Sequence, residues 1–429
     1  TGWYTLSLHD ALPIFDARSG NLLWRFPLTD KADFGLVADL NGEPGDELIV
    51  VQGDRLSAIG IRTERPELLW TFSLPSKVKD AILADIDGDR QIEITAVAMD
   101  GFLYRIDQSV IAAGANDIVL KPEEGLTFVE EPGVRITHLG FNGLYEPDCQ
   151  VFYENAQPVY HLWWTTRAYA DQQLTNENRW SAHVSISRDG LHFDYERGPE
   201  FATGRFTNRT DRDLLRLPDG GWRAYTLVGG GNPWYCIDSY RAGSEARDWT
   251  WEEDMRINFG NPGDWDHTAA RGPEAVLLPD GSIRVYYIGW NGSEGPYVQQ
   301  PKPGERWRIL SAISKDGVNF TKEAGVRIDA DPNAKPPNGP VSMSKPLVVR
   351  LSDGRYRMIF AAESESAFSV LFSAVSENGL SWQREPGIRL VNEQGEPVYG
   401  ACPSLVRTAE GKYRLYYDGE GGIRSAVAR

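Results

Sequence analysis

The sequence predicts an all-β protein: a five-bladed β-propeller preceded by about two blades of a second, different propeller. Three observations carry this expectation. A strand-turn-strand pattern recurs five times after residue 145, a glycine-punctuated motif recurs four times in phase with it, and an unrelated unit recurs twice before residue 110. Composition agrees, because 14 Trp and 18 Tyr among 43 Gly favour strands and turns over helices.

The chain has 429 residues, too many for one ordinary core, so several domains or one large closed architecture is expected. No apolar run approaches the roughly 18 residues of a membrane span. With 61 acidic and 44 basic residues the formal charge is −17, which repels phosphate backbones and argues against nucleic acid as a partner. Cys149, Cys236 and Cys402 lack the number for a disulfide framework and the spacing for zinc, and read as buried free thiols.

The stretch LSLHDALPI at 6 to 14 matches no repeat and resembles an in-frame translation of sequencing adapter. On that resemblance residues 1–14 are expected to be a non-native leader, with the natural chain extending upstream and any export signal lying there.

The first unit comes next, over 15–110. LLWRFPL at 22 to 28 returns as LLWTFSL at 68 to 74, and DLNGEPGDELIVV at 39 to 51 returns as DIDGDRQIEITAV at 85 to 97, the same displacement of 46 residues each time. A repeat of this length with short alternating strands reads as a propeller blade. In the later loop Asp85, Asp87, Asp89 and Glu93 offer hard oxygen ligands around one point, and Asp39, Asn41, Glu43 and Glu47 fill the matching places in the earlier one. These loops resemble the calcium loops of FG-GAP repeats, and DARSGNLLWRF resembles a blade of the pyrroloquinoline-quinone enzymes without a cofactor site. Calcium is therefore expected and no organic cofactor is. The plain alternative is that Asx and Gly only make tight turns.

The second unit occupies 117–429. Its hairpin is clearest in GPEAVLLPDGSIRVYYIG from 272, with DRDLLRLPDGGWRAYTLV from 211, KPLVVRLSDGRYRMIFAA from 345, CPSLVRTAEGKYRLYYDG from 402 and the looser EPDCQVFYENAQPVYHLWW from 146. Each runs into a turn through Asp-Gly or a relative and returns rich in aromatics, a hairpin signature. A third strand follows, then the motif GLHFDYERGPEF, GVNFTKEAGVRI or GLSWQREPGIRL. The first copy, GLTFVEEPGVRI at 125 to 136, has no strands before it. It is expected to complete the sheet whose inner strands end the chain, closing the ring without an exposed edge. The spacing in SRDGLHF and SKDGVNF is reminiscent of the sialidase Asp box, but a turn with a packing aromatic accounts for these residues fully.

Inner strands of a propeller converge on the axis, and residues two apart on a strand share a face. Two places into each hairpin stand Asp148, Asp213, Glu274, Leu347 and Ser404, with Glu146 and Asp211 one slot earlier. The blade count, the Pro-opened strands and these acids resemble the five-bladed glycoside hydrolase superfamily of arabinanases, β-xylosidases, invertase-like enzymes and mannoside phosphorylases, over roughly residues 120–429. The resemblance implies a general base at Glu146, a pKa-tuning carboxylate at Asp211 and a general acid in a Glu-Gly-Pro run. This chain reads Arg271-Gly272-Pro273-Glu274, with Arg at the acid's place. Glycosidic cleavage needs a protonated carboxyl and an ionised one, and crowding raises one pKa. The expected assignment is Glu274 as acid and Asp148 as base, tuned by Asp213, with Glu146 and Asp211 as close substitutes.

The segment GNPGDWDHTAARGPE leads into the third hairpin. Trp265 could stack a sugar while Asp266, His267 and Arg271 meet its hydroxyls; packing on a neighbouring blade is the plain alternative. Lys345 could hold a carboxylate or phosphate, or be an ordinary solvated lysine. Trp163, Trp164 and Trp290 read as core. The function expected is a secreted or periplasmic bacterial glycosidase acting on a poly- or oligosaccharide, against a binding-only propeller or a phosphorolytic enzyme.

Overall fold

A computed structural model of the chain describes residues 11–15, 22–27, 31–38, 47–60, 67–74, 76–84, 92–106, 118–137, 146–154, 157–166, 181–201, 209–217, 220–229, 235–278, 280–292, 304–329, 345–363, 369–408 and 411–429. Among them every regular element is a β-strand, so no helix is long and apolar enough to cross a membrane. The chain divides into two units, Thr1–Asp117 and Ile118–Arg429.

In the first unit Phe34–Ala38, Glu47–Gln52, Arg55–Gly60 and Glu67–Ser73 form a four-stranded antiparallel sheet, and Val78–Ala84, Glu93–Ala98 and Leu103–Ile106 a three-stranded one. The 46-residue repeat is visible in that Glu47 and Glu93 open equivalent strands. Ile49, Val51, Leu56, Ala58, Ile94 and Ala96 are buried between the sheets. Ala11–Phe15, overlapping the expected leader, pairs with Leu22–Pro27. Of the residues expected to bind calcium, only Glu47 and Glu93 fall within the described residues; Asp39, Asn41, Glu43, Asp85, Asp87 and Asp89 lie outside them. Among the described residues no group of three or more His, Cys, Asp or Glu could hold a metal.

The second unit contains five antiparallel strand groups. The first is Asp148–Glu154, Gln157–Thr166, Ser181–Ser187 and Asp194–Glu200; the second is Arg209–Arg216, Trp222–Gly229, Tyr235–Ala242 and Thr250–Ile257. The third is Ala269–Leu277, Ile283–Trp290 and Trp307–Ser314 with the short edges Thr321–Lys322 and Ile328–Asp329. The fourth is Leu347–Leu351, Tyr356–Glu363, Ser369–Ser376 and Gln383–Glu385. The fifth is Ala401–Arg407, Tyr413–Gly419 and Gly422–Ala428, onto which Phe128–Glu130 from the start of the unit pairs antiparallel, Phe128 opposite Ala428. Hairpins turn where glycine adopts a left-handed backbone, as at Gly281 (φ 81°) and Gly354 (φ 87°). The strand Ile283–Trp290 is buried along its whole length, which fits a sheet covered on both faces.

The recurring motif has a structural use. Arg223, Arg284, Arg357 and Arg414 occupy one position of the return strand in four groups. Each forks onto a glutamate of an outer strand, Glu252 of Thr250–Ile257 and the motif residues Glu323, Glu385 and Glu131 respectively, at 2.8 to 3.0 Å. Each also donates to a turn carbonyl of a different strand group: Asp316, Asn378, Glu124 and Asp189. Bidentate charge-assisted bonds are the strong kind, so the motif clasps one group to the next. The first group departs from the pattern with His161 at this place.

Candidate active site

The first strand of a group opens with a residue forced into an unusual backbone conformation. Glu146 (φ 42°), Asp211 (φ 41°), Gly272 (φ 60°) and Cys402 (φ 50°) all lie in the left-handed region. At Asp211, Gly272 and Cys402 the strand register shifts, marking a bulge. For the three non-glycine residues this costs of order 1–3 kcal/mol each, strain that persists only where the surroundings enforce it. A front slot (Glu146, Asp211, Gly272, Lys345, Cys402) is thus followed two residues on by a rear slot (Asp148, Asp213, Glu274, Leu347, Ser404), with a bulge between them in the second, third and fifth groups.

Rear-slot side chains tie neighbouring groups together. Asp148 Oδ2 accepts from the Leu214 amide at 3.0 Å, Asp213 Oδ2 from the Ala275 amide at 2.7 Å, and Glu274 Oε1 from the Val348 amide at 2.8 Å. Ser404 Oγ accepts from the Cys149 amide at 2.9 Å. Leu347 has no oxygen to offer, so the fourth-to-fifth joint is made without such a latch. The Lys345 ammonium lies 3.2 Å from Asp213, 3.7 Å from Asp148 and 3.7 Å from Glu274. Burial opposes its charge, but these carboxylates hold its pKa above the ordinary lysine value.

The front slot is built differently. Arg271 forks onto Asp211, Nε to Oδ2 at 2.5 Å and Nη2 to Oδ1 at 2.9 Å, and its Nη2 is 3.9 Å from Glu146. Glu146 Oε2 accepts from the Asp211 amide at 2.6 Å. Arg212, buried beneath, donates to the Glu146 carbonyl at 3.0 Å and to Thr165 Oγ1 at 2.5 Å.

Electrostatics sorts these carboxyls. Burial, then the Asp211 charge, pushes Glu146 well above the usual carboxylate range. Burial works the same way on Asp211, yet the Arg271 guanidinium overrides it and keeps Asp211 below its ordinary value. Burial and the Asp213 charge push Glu274 well up, and Asp213 itself is raised by burial against the pull of Lys345. Arg212, Arg271 and Lys345 bring three cations to this set of carboxyls, and burial pushes Glu146 and Glu274 toward their neutral forms, so less unpaired charge is buried. The cluster is nearly closed: Glu146, Asp148, Asp211, Glu274 and Lys345 side chains are at most 7% exposed, while Arg271 and Asp213 reach 11%.

Glu146, Asp148, Asp211, Asp213, Glu274, Arg271 and Lys345 thus come together in one cluster. Trp265 and Asp266 do not join it. Asp266 is buried against the Tyr287 hydroxyl at 2.9 Å and the Lys322 ammonium at 2.5 Å, and Trp265 stacks on Arg308. His267, between Asp266 and a buried Thr268 bonded to the Gly292 carbonyl, shares that loop. Trp163, Trp164 and Trp290 are core, and all three cysteines are buried free thiols. Sequence reasoning missed Arg212; it put Ser404 in the rear slot of the fifth hairpin but gave it no role.

No protein-family model matches the sequence, and no curated protein does. Solved structures do resemble it. A thermostable family-43 glycoside hydrolase matches with a TM-score of 0.51 and 14% identity, over 70% of this chain and 91% of that one. A second glycoside hydrolase matches with a TM-score of 0.51 and 11% identity, over 71% and 92%. At this identity the likeness is one of fold: the chain has the β-propeller fold of these glycoside hydrolases, in keeping with the resemblance read from the sequence.

Proposed function

We propose that the second unit is a glycosidase acting on an oligo- or polysaccharide, with Glu146 as the proton donor. The observation that carries this reading is the front pair: Glu146 accepts from the Asp211 amide while Arg271 forks onto Asp211, so burial pushes Glu146 toward its neutral form and the guanidinium holds Asp211 below its ordinary value. A glycosidic leaving oxygen needs a proton, and a neutral acid next to a fixed negative charge retains it near neutral pH. Glu146 suits the role better than Glu274, because its neighbour Asp211 is forked by Arg271, whereas Glu274 shares the Lys345 ammonium with Asp148 and Asp213. Asp213 is the carboxylate best placed to act as base. Its side chain is more exposed than those of Asp148, Asp211 and Glu274, and its raised pKa makes it a stronger proton acceptor. Asp148 and Glu274 then serve with Lys345 as framework, and Asp211 tunes Glu146. A protein degrading polysaccharide meets it outside the cytoplasm, so export belongs to this reading.

The binding-only alternative has one observation in its favour: Arg271 stands at the place where the resemblance puts an acid, and its fork occupies Asp211. Phosphorolysis is less well supported, because Arg271 and Lys345, the cations a phosphate would use, are both engaged by carboxylates.

The test is Glu146→Gln, with hydrolysis of aryl glycosides and of plant and algal polysaccharides as readout. Loss of the acid lowers kcat by about 10²–10⁴-fold while sugar binding is kept. Unchanged turnover in E146Q removes Glu146 from the chemistry, and a wild-type protein that binds sugars without cleaving any of them establishes the alternative.

A further inference from the structure

We infer that Trp265, braced by Arg308, forms a remote subsite for a neutral sugar chain. It lies outward from the axial carboxylates at the same end of the third strand group. This deepens the carbohydrate reading by making the ligand an extended glycan and not a single sugar.

Trp265 is 47% exposed, a large apolar area to leave in water. Its ring is nevertheless fixed. The Arg308 guanidinium carbon sits 4.2 Å from the ring centroid, and Arg308 is itself only 2% exposed. Its position is set by Asn291 Oδ1 at 2.9 Å, the Arg306 carbonyl at 3.2 Å and Asp329 at 3.2 Å. A buried guanidinium behind one face of an indole holds the ring without covering the rest of it, and an immobilised aromatic surface binds without losing side-chain freedom.

Beside the ring is a polar edge. Arg306 forks onto Asp329, Nε to Oδ1 at 2.9 Å and Nη2 to Oδ2 at 3.0 Å, with side chains 23% and 43% exposed. The fork is closed on its own carboxylate, so its remaining hydrogen-bonding capacity suits hydroxyls more than a charged group. An apolar platform next to a planar donor-acceptor pair matches a pyranose or furanose ring, with its C–H face and rim of hydroxyls.

Placement gives the subsite its meaning. In the register of the third group Ala269 faces Trp290 and Trp290 faces Trp307, so Arg271 and Arg308 belong to the same end of one sheet. The Arg271 guanidinium lies 5.8 Å from the Trp307 ring, next in sequence to Arg308. Two strand spacings, roughly 10 Å, separate the axial strand from the strand bearing Arg308. A ligand that touches both must be at least an oligosaccharide.

Wild type, Trp265→Ala, Trp265→Phe and Glu146→Gln are compared by affinity electrophoresis in gels containing arabinan, xylan, mannan or laminarin, and by hydrolysis of aryl monosaccharide glycosides. Wild type and E146Q are expected to be retarded equally by at least one polymer. W265A should lose about tenfold in affinity for it while W265F regains most of this, and aryl glycoside turnover should be the same in W265A as in wild type. A W265A protein retarded like wild type, no retardation of wild type by any polymer, or a W265F no better than W265A overturns the subsite. Retardation that depends on Trp265 in a protein that cleaves nothing leaves the subsite standing and removes the axial chemistry instead.

Discussion

The front and rear slots of the axial cluster hold the same residue types two positions apart and do opposite things with them. In the rear slot each acid bonds the amide of the next strand group, and Asp148, Asp213 and Glu274 share one ammonium. In the front slot Glu146 and Asp211 hold left-handed backbone and bond each other's residues, under a guanidinium that is partly open to solvent. Asp148 and Glu274, each bonded to a backbone amide and close to the shared ammonium, are chiefly structural parts, and the more exposed Asp213 is set apart from them as the proposed base. A carboxyl pushed toward its neutral form next to a charge, on a strained backbone, is set up to give a proton away. Residue type and repeat position alone do not separate these roles; the left-handed backbone at Glu146 and Asp211 does.

The largest effect that tests this contrast belongs to Lys345. Lys345→Met leaves the rear carboxylates buried without their cation, and unfolding should become easier by about 3–5 kcal/mol. Urea denaturation of the second unit measures it. A loss under 1 kcal/mol would mean that water, and not Lys345, neutralises these acids. Arg271→Met should be milder for stability, since burial already pushes Glu146 toward its neutral form. Its main effect falls on Asp211, whose carboxylate loses the fork that depresses its pKa, so the acid limb of any pH-rate profile moves to higher pH.

The sequence showed the slots but not their division of labour. Aligning five hairpins on their turns put Asp148, Asp213, Glu274, Leu347 and Ser404 in register, and the structure has four of them bonding across joints, with leucine leaving the fifth joint unlatched. Positive φ at Glu146, Asp211 and Cys402 could not be read, because none of these residue types announces a left-handed backbone as glycine does at Gly272. The headless motif at 125 to 136 was legible as part of the last sheet, and Phe128–Glu130 does pair with the C-terminal strand. Its glutamates carried no reading in the sequence, although an arginine recurs at one place in WRAY, IRVY, YRMI and YRLY. Those arginines are the partners of Glu252, Glu323, Glu385 and Glu131. Trp265, Asp266 and Arg271 are close in sequence, which suggested one loop; the strand that begins at Ala269 instead carries Arg271 to the axis while Asp266 stays against Tyr287.

Glu274 gives a smaller and more particular test, one of pH. Its folded-state pKa is raised, so between the ordinary carboxyl value of about 4.3 and that raised value the folded protein holds a proton that the unfolded chain has released. Stability therefore falls as pH rises through this window. Glu274→Gln keeps the acceptor for the Val348 amide and removes the titration. Urea midpoints should differ little at pH 5, and at pH 8 E274Q should equal or exceed wild type. If Glu274 is instead ionised in the fold and Lys345 pairs with three charges, the two proteins run parallel from pH 5 to 8 with E274Q the less stable throughout.

Ser404 provides the smallest effect and the cleanest one, because it is the only uncharged latch in the rear slot. Ser404→Ala strips the Cys149 amide of its partner at a buried joint between the fifth and first groups without altering the charge of the cluster. The cost should be about 1–3 kcal/mol, the penalty of a buried unsatisfied donor, and it should not change with pH. The same measurement on Leu347→Ser asks whether the open joint was left without a latch for want of an oxygen. If the Leu405 amide lies within reach, the new hydroxyl offsets part of the roughly 2–5 kcal/mol lost with the leucine side chain, and L347S should be more stable than L347A. Equal stability of the two would mean that this joint is spaced differently from the other four, and that the rear slot is a set of four latches by geometry as well as by sequence.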